Sequence, residues 1–489
     1  MNRCVLPRMG GLGSRLGLVA SVLALSACTV GPDYQRPPAP SASRYTMRSL
    51  PSTLGHGATA QQLVIGEAAP ADWWTRFGSA QLDALVREAV AANPDLAAAR
   101  AALRQAQENM AAGRATLFPT VALGYGVSRQ GNAPTLASPL ASNANEFMLQ
   151  TAQVSVSWSP DLFGGTRREL ESLNAQVDAQ RYQTWGARLS LIANVVVAAI
   201  NEAGLRAELE ATQRIAAEQR RIVTSYEHQY ALGAVSKVDV SAHRAVLAQT
   251  QEQLLPLRKR LEQQHDALAA LTGHSPDHVS VPCLEWHDLH LPRALPVTVP
   301  AQLVDDRPDV LMAAAELHAA AAQVGVAVAN RLPQLVLSAG YGSAAPVDVA
   351  SLFTSGAAFW DLAAAVTQPV FDAGRLKHEE LAAEAALAGS KAQYRATVIG
   401  ALQSVADTLY ALQNDADALD AAQGTEHAAA LSLAVARAEL KLGDASSAAV
   451  LQAEQAYQRT RIAVIHARVG RYTDTAALFQ ALGGESRAS

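Results

Sequence analysis

Residues 167–232 carry one helical pattern about 66 residues long. At 1.5 Å per residue such a helix spans about 100 Å. No globular domain has a core of that length, so the helix must lie along other helices in a sheath. The neighbouring segments supply them. Helices are predicted over residues 79–117 and 235–272, about 39 and 38 residues, which end to end match or exceed the long one. Within 235–272, Leu247, Leu254, Leu261 and Leu268 recur at intervals of seven, with Leu257 and Leu271 in the second seam position. That is a coiled-coil heptad. Pro256 interrupts it and is expected to bend the helix or remove one hydrogen bond. Val450, Tyr457, Val464 and Leu478 keep the same register near the C-terminus, and abundant alanine lets helices approach closely.

The plan occurs twice, with a period of about 210 residues. Asn93-Pro94-Asp95 recurs as Arg307-Pro308-Asp309, Phe118-Pro119 as Leu332-Pro333, and Gly124-Tyr125-Gly126 as Gly340-Tyr341-Gly342. Pro160-Asp161-Leu162-Phe163 recurs as Pro369-Val370-Phe371-Asp372, and Leu232-Gly233 as Leu442-Gly443. Residues 72–300 are therefore read as a first helix–strand–strand–helix–helix repeat with an equatorial linker. Residues 301–489 form the second repeat and the C-terminal tail.

Each repeat holds two strands with period-two alternation. The apolar sets are Val121, Leu123, Tyr125 and Val127, then Ala152, Val154, Val156 and Trp158. In the second repeat they are Leu335, Leu337, Ala339 and Tyr341, then Trp360, Leu362, Ala364 and Val366. Apart from Val336, the residues between them are small or polar. Each strand is about 9–11 residues, the length of a tilted membrane strand, and small polar residues suit a wet lumen. No apolar run of about 20 residues is expected in the body of the chain, so the spanning elements are strands rather than helices. Four strands do not close a barrel, and an open edge is not tolerated in lipid. The barrel must be shared between chains, and a trimer supplies twelve strands.

The N-terminus reads as an export signal over residues 1–27. Arg3, Arg8 and Arg15 are basic, no acidic residue precedes Asp33, and residues 16–27 are apolar. Leu25-Ser26-Ala27-Cys28 resembles the lipobox of bacterial lipoproteins, which implies lipidation of Cys28; Thr29 after it favours the outer membrane by the same resemblance. With Cys4 removed and Cys28 acylated, Cys283 is left alone and no internal disulfide forms. Residues 28–71 are Pro-rich and read as a lipid-anchored tether or a strap over the body.

The sequence resembles the TolC/OprM family of outer-membrane efflux channels, in its lipoprotein or NodT-type branch. The residues that carry the resemblance are Trp73-Trp74, Phe77 and Leu82, then Asn93-Pro94-Asp95-Leu96, and Trp158 through Gly165. Leu232-Gly233-Ala234-Val235-Ser236-Lys237-Val238-Asp239-Val240, Asp306-Arg307-Pro308-Asp309-Val310 and Leu442-Gly443-Asp444 complete the set. The resemblance implies an α+β membrane protein with internal duplication. In it a homotrimeric, twelve-stranded β-barrel, four strands per chain, is continuous with a long α-helical coiled-coil periplasmic tunnel. It implies a passive exit duct for small toxic compounds, anchored in outer-membrane lipid and engaged by a periplasmic adaptor and an inner-membrane efflux pump. A lipid-anchored periplasmic coiled-coil adaptor is the alternative, sharing the signal and the helices but not needing membrane-length strands.

Two helix–turn–helix tips, at residues 233–240 and 443–450, would close the tunnel. Gly233 and Gly443 suit the left-handed residue that ends a helix before a reversal. In TolC-like channels aspartates of the second tip narrow the entrance; here Ala449 and Gln452 stand in their places. Asp444 and Asp239 are the remaining acidic gate candidates, with helix capping as the competing role. Cys283, His287 and His290, near His274 and His278, have a metal-like spacing, but no paired Cys-x-x-Cys supports it. No P-loop, His-Glu-x-x-His or Gly-x-Ser-x-Gly motif is present, so neither an enzyme nor a cofactor is expected. With 39 basic and 44 acidic residues, bulk attraction to nucleic acid is excluded. Asp415 and Asp417 are expected on solvated faces.

Overall fold

The computed structural model describes residues 29–38, 40–133, 135, 144–277, 284–346 and 348–484. The signal sequence, Cys28, His278 and Cys283 lie outside them. In chain order the strands are β1 (Thr53–Leu54), β2 (Gln61–Ile65), β3 (Thr120–Gly131), β4 (Glu146–Trp158), β5 (Ala294–Val297), β6 (Gln334–Ala345) and β7 (Ala358–Thr367). The helices are α1 (Ala80–Ala92), α2 (Pro94–Ala115), α3 (Gly165–Ala231), α4 (Lys237–Leu271), α5 (Pro300–Asp306), α6 (Pro308–Ala329), α7 (Arg375–Leu442) and α8 (Ser447–Leu482). Duplication extends to element lengths. α2 and α6 have 22 residues each, α3 and α7 have 67 and 68, and α4 and α8 have 35 and 36.

The single helix expected over 79–117 is two helices. Asn93, extended because a proline follows, ends α1. Its Oδ1 accepts the Leu96 N–H at 3.0 Å and caps α2, while its Nδ2 donates to the Leu271 carbonyl at 3.1 Å. Arg307 before Pro308 makes the same break between α5 and α6. Helix α4, by contrast, runs on through Pro256.

The chain forms two compact units, each drawn from both repeats. One comprises Met1–Arg36, Arg104–Ala179 and Ala313–Gln393; the other comprises Pro37–Leu103, Gln180–Met312 and Tyr394–Ser489.

The first unit contains an antiparallel sheet in the order β3-β4-β6-β7. Its strands are 12, 13, 12 and 10 residues long, the first three slightly longer than expected and the last within the expected range. The register places Leu123 opposite Val154, Val154 opposite Tyr341, and Tyr341 opposite Trp360. All four apolar sets therefore share one face, and that face is open, with Leu123 83% and Leu362 76% exposed. Thr120, Ala122, Gly124, Ser155, Ser338, Gly340 and Ala363 alternate onto the other. Strands β3 and β7 each have one edge with no strand beside it among the described residues.

The second unit holds a small sheet, β1-β2-β5, with β2 parallel to β5 and Gln62 opposite Ala294. Strands of two, five and four residues are too short to show a period; β1 and β2 fall within residues 28–71, read as a tether or a strap over the body. Trp73 stacks on Phe479 at 5.2 Å, and Phe77 and Trp286 flank Tyr472 at 6.1 and 5.2 Å. Among the described residues two helices, α3 and α6, hold 18-residue windows apolar enough to cross a bilayer by composition, which the sequence reading did not expect. In α3, 67% of that window is buried inside the protein, the ordinary result of Ala- and Val-rich helix packing.

Arg471 is fully buried in this unit. Its guanidinium donates to the carbonyls of Leu412 and, at 3.1 Å, Leu54. Asp415 lies beside it and is not the solvated residue expected, although Asp417 is exposed. Burial, then the adjacent Asp474 carboxyl, push Asp415 up to about 6 against the opposing pull of Arg471. Because this folded value lies above the ordinary one near 3.9, the native state holds the extra proton and loses stability as pH rises from about 4 to about 6. Asp415→Asn is expected to flatten the melting temperature over that window and raise it at pH 7.5. Thermal unfolding of detergent-extracted protein from pH 4 to 8 checks this.

Candidate functional site

The two reversals between long helices, α3 to α4 and α7 to α8, have one backbone design. At the first, the Gly233 N–H bonds the Tyr230 carbonyl at 2.9 Å and the Ala234 N–H bonds that of Gln229 at 2.9 Å. At the second, Gly443 bonds Leu440 at 3.2 Å and Asp444 bonds Glu439 at 3.0 Å. These pairs form a Schellman motif, and both glycines are left-handed, with φ of 74° and 85°. A serine then starts the next helix. Ser236 Oγ accepts the Asp239 N–H, and Ser446 Oγ accepts the Ala449 N–H, each at 3.2 Å.

The tips differ three residues after those serines. Asp239 completes a capping box: its Oδ2 accepts the Ser236 N–H at 3.0 Å and the Ser236 hydroxyl at 2.7 Å. Its Oδ1 accepts the hydroxyl of Ser447, from the other tip, at 2.8 Å. Hydrogen bonds from Ser236 and then Ser447 hold the Asp239 carboxyl below the usual carboxylate range. Ala449 has no such group, so one carboxylate ties both reversals together. Asp444 contributes its backbone to the Schellman motif and leaves its side chain exposed.

Above the tips, Tyr226 and His243 rings lie 4.1 Å apart, and burial pushes the His243 imidazole down. Arg437 bridges Glu218 at 3.2 Å and the buried Glu454 at 3.1 Å. Sequence reasoning missed Ser447 and this Arg437 bridge. The capping box was legible as Ser-x-x-Asp; a partner 208 residues away was not.

The metal-like residues do not converge among those described. His287 pairs with Glu285 at 3.2 Å and Asp288 at 3.4 Å, the His290 ring lies against Gly78, and His274 meets Glu88 at 2.7 Å. No group of three or more His, Cys, Asp or Glu able to hold a metal occurs among the described residues.

A family pattern for outer membrane efflux proteins matches residues 85–274 and 299–484, one block per repeat. The chain belongs to the outer membrane efflux protein family. This efflux protein is thus the outer-membrane channel component of a tripartite efflux system, which decides against the adaptor reading. It is 29% identical over 419 residues to the pyoverdine export outer membrane protein OpmQ of Pseudomonas putida, covering 84% of this chain and 87% of that one. It is 24% identical over 478 residues to the probable outer membrane lipoprotein SilC of Salmonella typhimurium, covering 95% and 97%. The solved structure of the outer-membrane channel OprN matches with a TM-score of 0.83 and 25% identity, over 94% of the efflux protein and 99% of OprN.

Proposed function

We propose that three copies of this chain close a twelve-stranded barrel in the outer membrane and line a helical duct for small toxic compounds, gated at its periplasmic tips. The observation that carries this reading is the four-stranded sheet with one continuous, exposed apolar face and an open edge on each side. An open edge in lipid leaves backbone N–H and C=O groups unpaired, so the edges must meet edges of other copies. Three-fold closure gives an even strand number and an interior face of small and polar residues. Acylation at Cys28 anchors the chain, in keeping with the lipobox and the lipoprotein relative.

The tips are the gate. The Asp239–Ser447 clasp makes the two reversals of one chain move together, and three-fold symmetry gathers the Asp444 carboxylates into a ring that favours cations. Exposed Leu232 and Leu442, at equivalent places in the two tips, offer apolar contact to a periplasmic adaptor and, through it, to an inner-membrane pump.

Electron images of detergent-extracted protein are expected to show a three-fold cylinder longer than about 100 Å. A monomer or a flexible open hairpin would overturn the reading. In planar bilayers, Asp239→Asn combined with Asp444→Asn is expected to raise resting conductance severalfold and weaken cation preference; unchanged conductance removes both residues from the gate. Growth of a deletion strain across a compound panel, with complementation, identifies the cargo class.

A further inference from the structure

The residues directly after the lipidation site are held by a buried cation. Arg168 is 4% exposed, although it stands in the first turn of α3, where the helix dipole disfavours positive charge. Its donors go largely to the N-terminal segment: Nε to the Val30 carbonyl at 3.0 Å, and Nη2 to the Gly31 carbonyl at 3.4 Å and Asp33 Oδ1 at 2.7 Å. Nη1 donates to Glu171 at 2.8 Å, and Glu171 also meets His318 at 2.8 Å. The His318 ring stacks on Tyr34 at 4.3 Å. On the backbone side, the Val30 N–H donates to the Phe163 carbonyl at 3.2 Å. Two glycines make room. A Cβ on Gly325 would stand 2.9 Å from the Val30 carbonyl oxygen, and one on Gly164 would stand 2.4 Å from Thr29 Cγ2.

This socket lies just past the end of β4, where the chain passes from sheet to helix. Phe118, Trp158, Val370 and Phe371 are exposed around the same end of the sheet, and Trp158 Nε1 donates to the Leu117 carbonyl at 3.0 Å. Exposed aromatics at strand ends mark a lipid–water boundary.

We propose that Arg168, with Glu171, His318, Gly164 and Gly325, forms a seat for the acylated N-terminus, fixing it at the lipid–water boundary so that its acyl chains enter the leaflet beside the sheet. The seat rests on the reading of Cys28 as lipidated. A free tether would leave the anchor's height undetermined; a seat starting one residue after the anchor sets it to within a residue length, about 3.8 Å.

The test combines two measurements on full-length protein extracted in detergent and reconstituted in phosphatidylethanolamine–phosphatidylglycerol vesicles. Intact mass reports whether the mature chain begins with an acylated Cys28. Hydrogen exchange reports protection of residues 30–34 in wild type, Arg168→Met and Gly325→Ala. Acylation, slow exchange in wild type and roughly tenfold faster exchange in both variants, with β3 and β4 unaltered, is the expected result. Unprotected wild type, or variants exchanging like wild type, overturns the seat whatever the mass shows. Protection on an unacylated chain overturns the lipid reading and with it the seat's purpose. Should both variants also lose protection in the strands, Tyr34→Ala, which leaves the guanidinium and glycines in place, carries the same comparison.

Discussion

Leu123→Arg and Leu362→Arg are each expected to abolish assembly in the outer membrane, while Ala363→Arg is expected to be tolerated there. Leu123 is the fourth of the 12 residues of β3 and Leu362 the fifth of the 10 of β7, both on the face where the register aligns all four apolar sets. An arginine near the bilayer midplane costs about 2–4 kcal/mol in each chain. Three copies would bear about 6–12 kcal/mol, comparable to the whole stability of a typical domain. Ala363 is the next residue along β7 and alternates to the other face. There an arginine meets water in the proposed lumen and is expected to alter ion selectivity rather than insertion. Membrane fractionation and native gel migration of the three variants check the contrast. If all three insert equally, the apolar face does not meet lipid.

Arg471→Met is expected to destabilise the protein by about 3–5 kcal/mol, because it breaks a buried charge cluster from one side only. The guanidinium satisfies the buried carbonyls of Leu412 and Leu54, and its charge offsets Asp415, Asp420 and Asp417. Methionine fills similar volume but donates nothing, so the Leu412 and Leu54 carbonyls each lose a donor and Asp415 faces Asp474 with no cation beside it. Leu54 belongs to β1, so the loss also frees the short sheet of the second unit. Thermal unfolding of the extracted protein reads the change. The double variant Arg471→Met with Asp415→Asn is expected to recover part of it, since neutral Asn removes the carboxylate left without its counter-ion. Full additivity would show that the two groups do not act as a unit.

Much of the candidate gate was legible in advance, because its parts are local. Gly233 and Gly443 end helices through bonds five and fewer residues back, and Ser236-x-x-Asp239 is a capping box within one turn. The role of Asp239 was only half legible. Capping is local and readable as Ser-x-x-Asp, and Oδ2 caps α4; that Oδ1 accepts the Ser447 hydroxyl is a contact no local pattern shows.

By itself the sequence determined the long helices and the four long strands, with their faces. Periods of two and of three to four residues depend on neighbours a few positions away, so the strands, the heptads and the duplicated plan are written locally. The lengths of α3 and α7, near-equal in the two repeats, follow from the same pattern. Only the tertiary structure decided which distant groups share a buried site. β2 pairs with β5 across more than two hundred residues, Arg168 reaches Val30, Arg471 reaches Leu54, and Asp415 meets Asp474. Each of these joins chain segments that no periodicity relates. Their energies come from burial, which turns a surface-type arginine into a clamp and an ordinary aspartate into an acid near pH 6 only once the surrounding helices exclude water.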